Sequence, residues 1–94
     1  MSRQWTADIV VMPKEGVNDP EGEAILGGLR DLGYETVARV RSGKRFQVML
    51  TADDEAHAVS LATSMADRLL ANPVIESFIV EGVQLSASPG ETAV

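Results

Sequence analysis

Cysteine is absent from this 94-residue chain, and histidine, tryptophan and tyrosine occur once each. Without thiols there is no disulfide, no thiolate zinc site and no cysteine nucleophile, a usage that fits a reducing compartment. His57 has no second imidazole or thiol to share a metal with, so it reads as a solvated residue in a helix's first turn beside Asp53, Asp54 and Glu55. Those acids read as helix N-terminal residues rather than a cation site. Gly43-Lys44 is followed by Arg45 where a phosphate loop needs Ser or Thr, and Ala38 stands where its first glycine belongs. No Gly-x-Gly-x-x-Gly turn occurs. Ser60, Ser64 and Ser77 lack the flanking glycines of a nucleophile elbow. No catalytic, cofactor-binding or metal-binding residue is therefore assigned. The bases are few as well: eight against fourteen acids, a net charge of −6. Such a chain repels phosphate backbones, and nucleic acid is not an expected partner. The apolar run Ile9–Met12 is far short of a membrane span, and Met1–Trp5 has no apolar signal region behind it. A cytoplasmic protein with no membrane contact is expected.

What is present is enough for one domain with a thin two-layer core, since 45% of the residues are apolar. Trp5, Ala7, Ile9 and Val11 alternate with Thr6 and Asp8, and the period of two predicts a strand over 4–12 that ends near Pro13. Asp19, Pro20, Glu21 and Glu23 mark a helix start, with Asp19 as cap. Ile25, Leu29 and Leu32 share a face, and Gly33 stops the helix. Gly27-Gly28 costs this helix roughly 1 kcal/mol per glycine relative to alanine. Such a pair points to close packing on a sheet or to a protein interface. Residues 35–51 read as a hairpin. Thr36, Ala38 and Val40 alternate on one side, Phe46, Val48 and Leu50 on the other, with Ser42-Gly43-Lys44 as the turn and Gly43 supplying a positive φ. Asp53 is the expected cap of a second helix whose stripe is Ala58, Leu61, Ala62, Met65 and Leu69, ending at Asn72-Pro73. A last strand over 74–83 places Phe78 and Val80 on one face.

The expected fold is α+β: a βαββαβ two-layer sandwich with both helices on one face of a four-stranded antiparallel-type sheet. The domain spans 1–83, and 84–94 reads as a disordered tail. Val10, Met12, Val37, Met49 and Ile79 fall opposite the core positions. That is an apolar face requiring a cover, and Met49 and Ile79 are interface candidates. Arg39, Arg41, Lys44 and Arg45 gather half of the chain's bases at the predicted hairpin, as an anion or acidic-partner site or as protection of a strand edge.

Four stretches together resemble one family, PurS, the small subunit of phosphoribosylformylglycinamidine synthase. They are Gly16-Val17-x-Asp19-Pro20-x-Gly22, Leu32-Gly33-Tyr34, Val40-Arg41-x-Gly43-Lys44, and Leu69-Leu70-Ala71-Asn72-Pro73-Val74-Ile75-Glu76. The resemblance covers 4–83. It departs at Gly27-Gly28, where a more helix-favouring pair is usual, and in the extension from 84. It implies a subunit of an ATP-dependent amidine-forming ligase in purine synthesis, without catalytic residues of its own. It further implies a homodimer or tetramer that bridges a glutaminase subunit (PurQ) and a large synthetase subunit (PurL) and helps ammonia pass between them. ATP and magnesium would belong to the large partner, with no cofactor in this chain. Arg41, Gly43, Lys44 and Asn72 lie in the matched motifs and are interface candidates with Met49 and Ile79. The competing reading is a stand-alone small-molecule-binding regulatory domain of similar topology. An acyl-phosphate hydrolase on this topology lacks its Gly-rich anion loop, although Arg41 and Asn72 are present.

Overall fold

The computed structural model describes residues 2–86. Strand β1, Arg3–Pro13, is the centre of a three-stranded antiparallel sheet, flanked by β2, Lys44–Ala52, and β3, Glu76–Leu85. Its alternation is borne out: Trp5, Ala7, Ile9 and Val11 are all buried on one face. Across them lie Leu50, Val48 and Phe46 of β2, and Phe78 and Val80 of β3. A register shift at Asp8/Ile9 brings Val83, rather than Gly82, onto the core face. Pro13 closes β1, where its missing N–H costs no ladder bond.

Helix α2, Glu55–Met65, covers this face and packs on all three strands. Ala58, Ala62 and Ala66 are fully buried, so the helix sits close to the sheet and the bulk of the core comes from the strands. Its cap is Asp54, one residue later than expected, with Asp54 Oδ1 accepting the His57 N–H at 2.8 Å. The apolar stripe breaks at its end. The chain widens into one π-helical turn, Ala66–Leu70, closed by the Ala71 N–H on the Ala66 carbonyl at 2.9 Å. The wider turn rotates the register, so Leu69 is 83% exposed and Leu70 packs against the core in its place.

Helix α1, Pro20–Asp31, starts as its sequence dictates. Asp19 Oδ1 accepts the Gly22 N–H at 3.0 Å, Pro20 opens the helix, and Gly33 adopts φ 99° after it. Its placement differs from expectation. It makes no substantial packing contact with any other helix or strand, and Ile25 and Leu32 remain exposed. Only α2 therefore lies on the sheet.

The expected fourth strand is also missing from the sheet: residues 36–42 enter no ladder. They run back along α1 toward the end of β1, held by Arg30 Nη2 donating to the Val37 carbonyl (3.2 Å) and the Ser42 N–H donating to Asp19 Oδ2 (2.8 Å). Gly43 then lies beside Val11 and Met12, and Lys44 pairs with Val11. The chain enters β2 without folding back, so the hairpin does not form. Gly43 does not use a positive φ; it is needed because a Cβ there would stand 2.5 Å from the Val11 carbonyl oxygen. The last strand begins at Glu76 rather than 74, leaving Val74 78% exposed, and it runs on through Gln84 to Leu85, residues expected in the tail. The rest of that tail, 87–94, lies outside the described residues. The molecule is long for its size. Its radius of gyration is 17.0 Å, against about 12 Å for a compact chain of this length.

Candidate subunit interface

Four of the six sequence-selected residues meet around the loop between β1 and α1. Arg41 Nη2 donates to the Pro13 carbonyl, and Arg41 Nη1 lies 3.9 Å from Glu15 Oε1. Arg39 pairs with the same carboxylate at 3.1 Å. Lys44 Nζ stands 3.7 Å from Glu76 Oε2, and Glu76 Oε1 accepts the Asn72 N–H at 2.8 Å. Asn72 Oδ1 in turn accepts the Val74 N–H, which shapes the turn into β3. Lys44 and Asn72, distant in sequence, are thus joined through Glu76. Lys14 completes the loop by donating Nζ to the Pro73 carbonyl at 2.6 Å. The basic cluster is a set of exposed or half-exposed ion pairs within the chain, screened by solvent and of little weight in folding.

Met49 and Ile79 lie on the uncovered sheet face, 62% and 66% exposed. They do not form one apolar patch. Met49 sits across from Thr6 and Ile79 across from Val10, and between those rows lies a polar group. Asp8, only 9% exposed, accepts from Gln47 Nε2 at 3.1 Å and pairs with Arg45 at 3.2 Å. Val10 and Met12 are half-buried, and Val37 is off the sheet altogether. The expectation of a uniformly apolar face is corrected accordingly. The signal was available: Asp8 and Gln47 share the outward parity of their strands with Val10 and Met49.

The sequence reading gave Asp19 only a role as helix cap and gave Glu15 none. Glu15 is held below the usual carboxylate range by its hydrogen bond to Arg39 and by the charges of Arg39 and Arg41. Asp19 is held below it by the backbone N–H groups of Ser42 and Gly22. An unfolded chain protonates such groups near pH ~4, while the folded chain does so lower. Both carboxylates therefore stabilise the fold fully above the unfolded-state value, and that contribution is lost as pH falls through the lower folded-state value. Gly22 and Ser42 amide shifts, followed by NMR, are expected to titrate together below the ordinary aspartate midpoint. Titration at the ordinary value would show that Asp19 does not latch the two segments.

His57 remains at the start of α2, 46% exposed in its side chain, with Nδ1 accepting the Asp53 N–H at 3.1 Å. Among the described residues, no three His, Cys, Asp or Glu side chains group so as to hold a metal. Nor is any helix long and apolar enough to cross a membrane. A hollow of about 290 Å³, lined by Lys14, Asp67, Ala71, Pro73, Glu76, Ser77 and Phe78, marks the seam between the π turn and β3. Gly27 and Gly28 have nothing within 4 Å of where a Cβ would stand, so close packing on the sheet does not account for them.

The fold and these surfaces define a small α+β domain with one uncovered sheet face and a charged loop end. A family model described as phosphoribosylformylglycinamidine (FGAM) synthase, PurS, matches residues 6–84. A Synechocystis phosphoribosylformylglycinamidine synthase subunit PurS is 43% identical over 81 residues, 86% of this chain and 81% of the relative. The structure of Thermus thermophilus PurS superposes with a TM-score of 0.81 at 34% identity, covering 89% of this chain and 99% of that one. A chain in the structure of PurLQS from Thermotoga maritima gives a TM-score of 0.73 at 28% identity, covering 88% and 98%. The chain belongs to the PurS family, the PurS subunits of phosphoribosylformylglycinamidine synthase in purine biosynthesis. The reading as a stand-alone regulatory domain is not favoured by these relatives.

Proposed function

We propose that this chain is the bridging subunit of a multisubunit FGAM synthase in the cytoplasm. It joins a glutaminase subunit, PurQ, to a large synthetase subunit, PurL, and assists the transfer of ammonia between them. PurL supplies the ATP and magnesium chemistry, and this chain contributes surfaces rather than reacting groups. The observation that carries the reading is the likeness over nearly the whole chain to a component of the PurLQS structure. The chain works as a homodimer or tetramer. Its docking residues are Arg41, Gly43, Lys44 and Asn72 at the loop end of the sheet, with Met49 and Ile79 on the uncovered face.

Reconstitution tests it. PurL and PurQ without this chain are expected to lose glutamine-dependent FGAM formation and keep the ammonia-dependent reaction, and adding the chain restores the first. Glutamine-dependent activity at full rate without it would sink the bridging role. The basic residues have their own test, in the double variant Arg41→Ala, Lys44→Ala. Exposed ion pairs contribute about 0–1 kcal/mol to folding, whereas removing charge-assisted hydrogen bonds from an interface costs about 2 kcal/mol or more. The isolated variant should melt within a few degrees of the parent while glutamine-dependent activity falls more than about tenfold. Early melting would assign both residues to folding; full activity would remove them from the docking surface.

A further inference from the structure

The uncovered sheet face has a buried charge at its centre. Asp8 belongs to the outward side of β1, yet it is only 9% exposed, whereas Gln47 on one side of it and Gly82 on the other are exposed. The hydrogen bond from Gln47 Nε2 (3.1 Å) and the ion pair with Arg45 Nη2 (3.2 Å) both fall on Oδ1. An ionised carboxylate has about four lone-pair sites, so Oδ2 keeps acceptor capacity. Arg45 Nη2 also stands 4.0 Å from Glu81 Oε1. Two carboxylates thus share one guanidinium, and a negative charge is left over.

Gly82 opens the way to it. It stands across from Asp8 in β3, next to the register shift. Its φ is not positive, and a Cβ there meets nothing within 4 Å. Neither the backbone conformation nor packing within the chain asks for glycine. A glycine inside a strand often marks the close approach of another chain or ligand, and this one leaves a notch beside Asp8. The flanking rows are apolar, with Val10 and Ile79 on one side and Met49 on the other.

We propose that the notch receives an arginine side chain from the partner subunit that covers this sheet face. Its guanidinium donates to Asp8, and its stem lies over Gly82 between Ile79 and Met49. The chemistry selects the occupant. A buried carboxylate with lone pairs to spare takes a cation, and the planar, weakly hydrated guanidinium suits a dry ion pair better than an ammonium does. An apolar rim around a charged centre is the arrangement that excludes water from such an anchor. A free small ion would stay hydrated on a face open to solvent. A second copy is the poorer occupant, because a chain of net charge −6 repels itself and its Arg45 is already engaged. The inference rests on the bridging role proposed above and gives one docking face its chemistry, a basic patch set in apolar surface.

The test titrates the chain into a mixture of PurL and PurQ and reads the concentration that half-saturates glutamine-dependent FGAM formation. Asp8→Asn keeps an oxygen for Gln47 and removes the charge; it should raise that concentration about tenfold or more. Asp31→Asn, an exposed acid at the end of α1, makes the same charge change and should leave it unmoved. Gly82→Val fills the notch. It should raise the melting temperature of the isolated chain, since valine favours strands, and raise the half-saturating concentration as well, and it decides the matter if Asp8→Asn folds poorly. Phenylglyoxal, which modifies exposed guanidinium groups, locates the arginine. One partner arginine should be protected by the parent chain and not by Asp8→Asn, and peptide mass mapping identifies its subunit. Half-saturation unchanged in both variants overturns the proposal, as does a protection pattern that Asp8→Asn reproduces. So does a Gly82→Val chain that loses only self-association. In those cases glutamine-dependent activity still requires the chain and the bridging role stands. Full activity without the chain overturns the bridging role and the docking together.

Discussion

Replacing Ile9 by alanine is expected to lower the unfolding free energy by about 2–5 kcal/mol. Ile9 is fully buried at the middle of the central strand, opposite Phe46 on one side and Val80 on the other. The helix above it presents alanines at its fully buried positions, so the gap is filled only as far as Leu61 and Met65 at the margins of the core can shift. A chain of this length has roughly 5–14 kcal/mol to lose. Urea denaturation at one fixed protein concentration measures the change, since an oligomer's midpoint depends on concentration. A midpoint indistinguishable from the parent's would mean that the packing described around β1 is wrong. Glutamine-dependent synthase activity should fall with the folded population, and excess chain should restore it.

The second expected result concerns two kinds of glycine. Gly43→Ala places a methyl group 2.5 Å from the Val11 carbonyl oxygen and against the Met12 sulfur. The obstacle is backbone, so β1 and β2 must separate locally, at a cost of about 1–3 kcal/mol by analogy with overpacked cores. Gly27→Ala and Gly28→Ala meet open space and should raise the helicity of α1, each stabilising the single chain by up to roughly 1 kcal/mol. Thermal melts of the three variants decide the matter. Destabilisation by Gly27→Ala, or none by Gly43→Ala, would reverse the roles assigned here.

The candidate interface was legible in proportion to how local its signals are. Arg41, Gly43 and Lys44 announced themselves as a charge cluster in an acidic chain, and Asn72 as a helix-ending dipeptide with Pro73. Their partners did not. Glu76 joins Lys44 to Asn72 only because β3 lies on one side of β1 and β2 on the other, and Glu15 and Asp19 gain importance only when 39–42 returns to them. Met49 and Ile79 were placed correctly on the outward parity. The polar group between them was passed over because apolar alternation along each strand ignores what stands across from it.

The sequence by itself determined the elements whose causes lie within a few residues: β1 from its alternation, α1 from the Asp19-Pro20 start and the Gly33 stop, and α2 from its apolar spacing. It also determined the family, through motifs spread over nearly the whole chain. Tertiary structure alone decided where those elements go. A period of two says that residues 36–42 seek a strand partner, but several edges satisfy the same alternation, and Gly43 packed against β1 directs the segment away from its own. An amphipathic stripe says that α1 needs a cover without naming it. The π turn at Ala66–Leu70 moves Leu69 outward because one extra residue enters the turn, a change in the period itself that no pattern of fixed spacing contains.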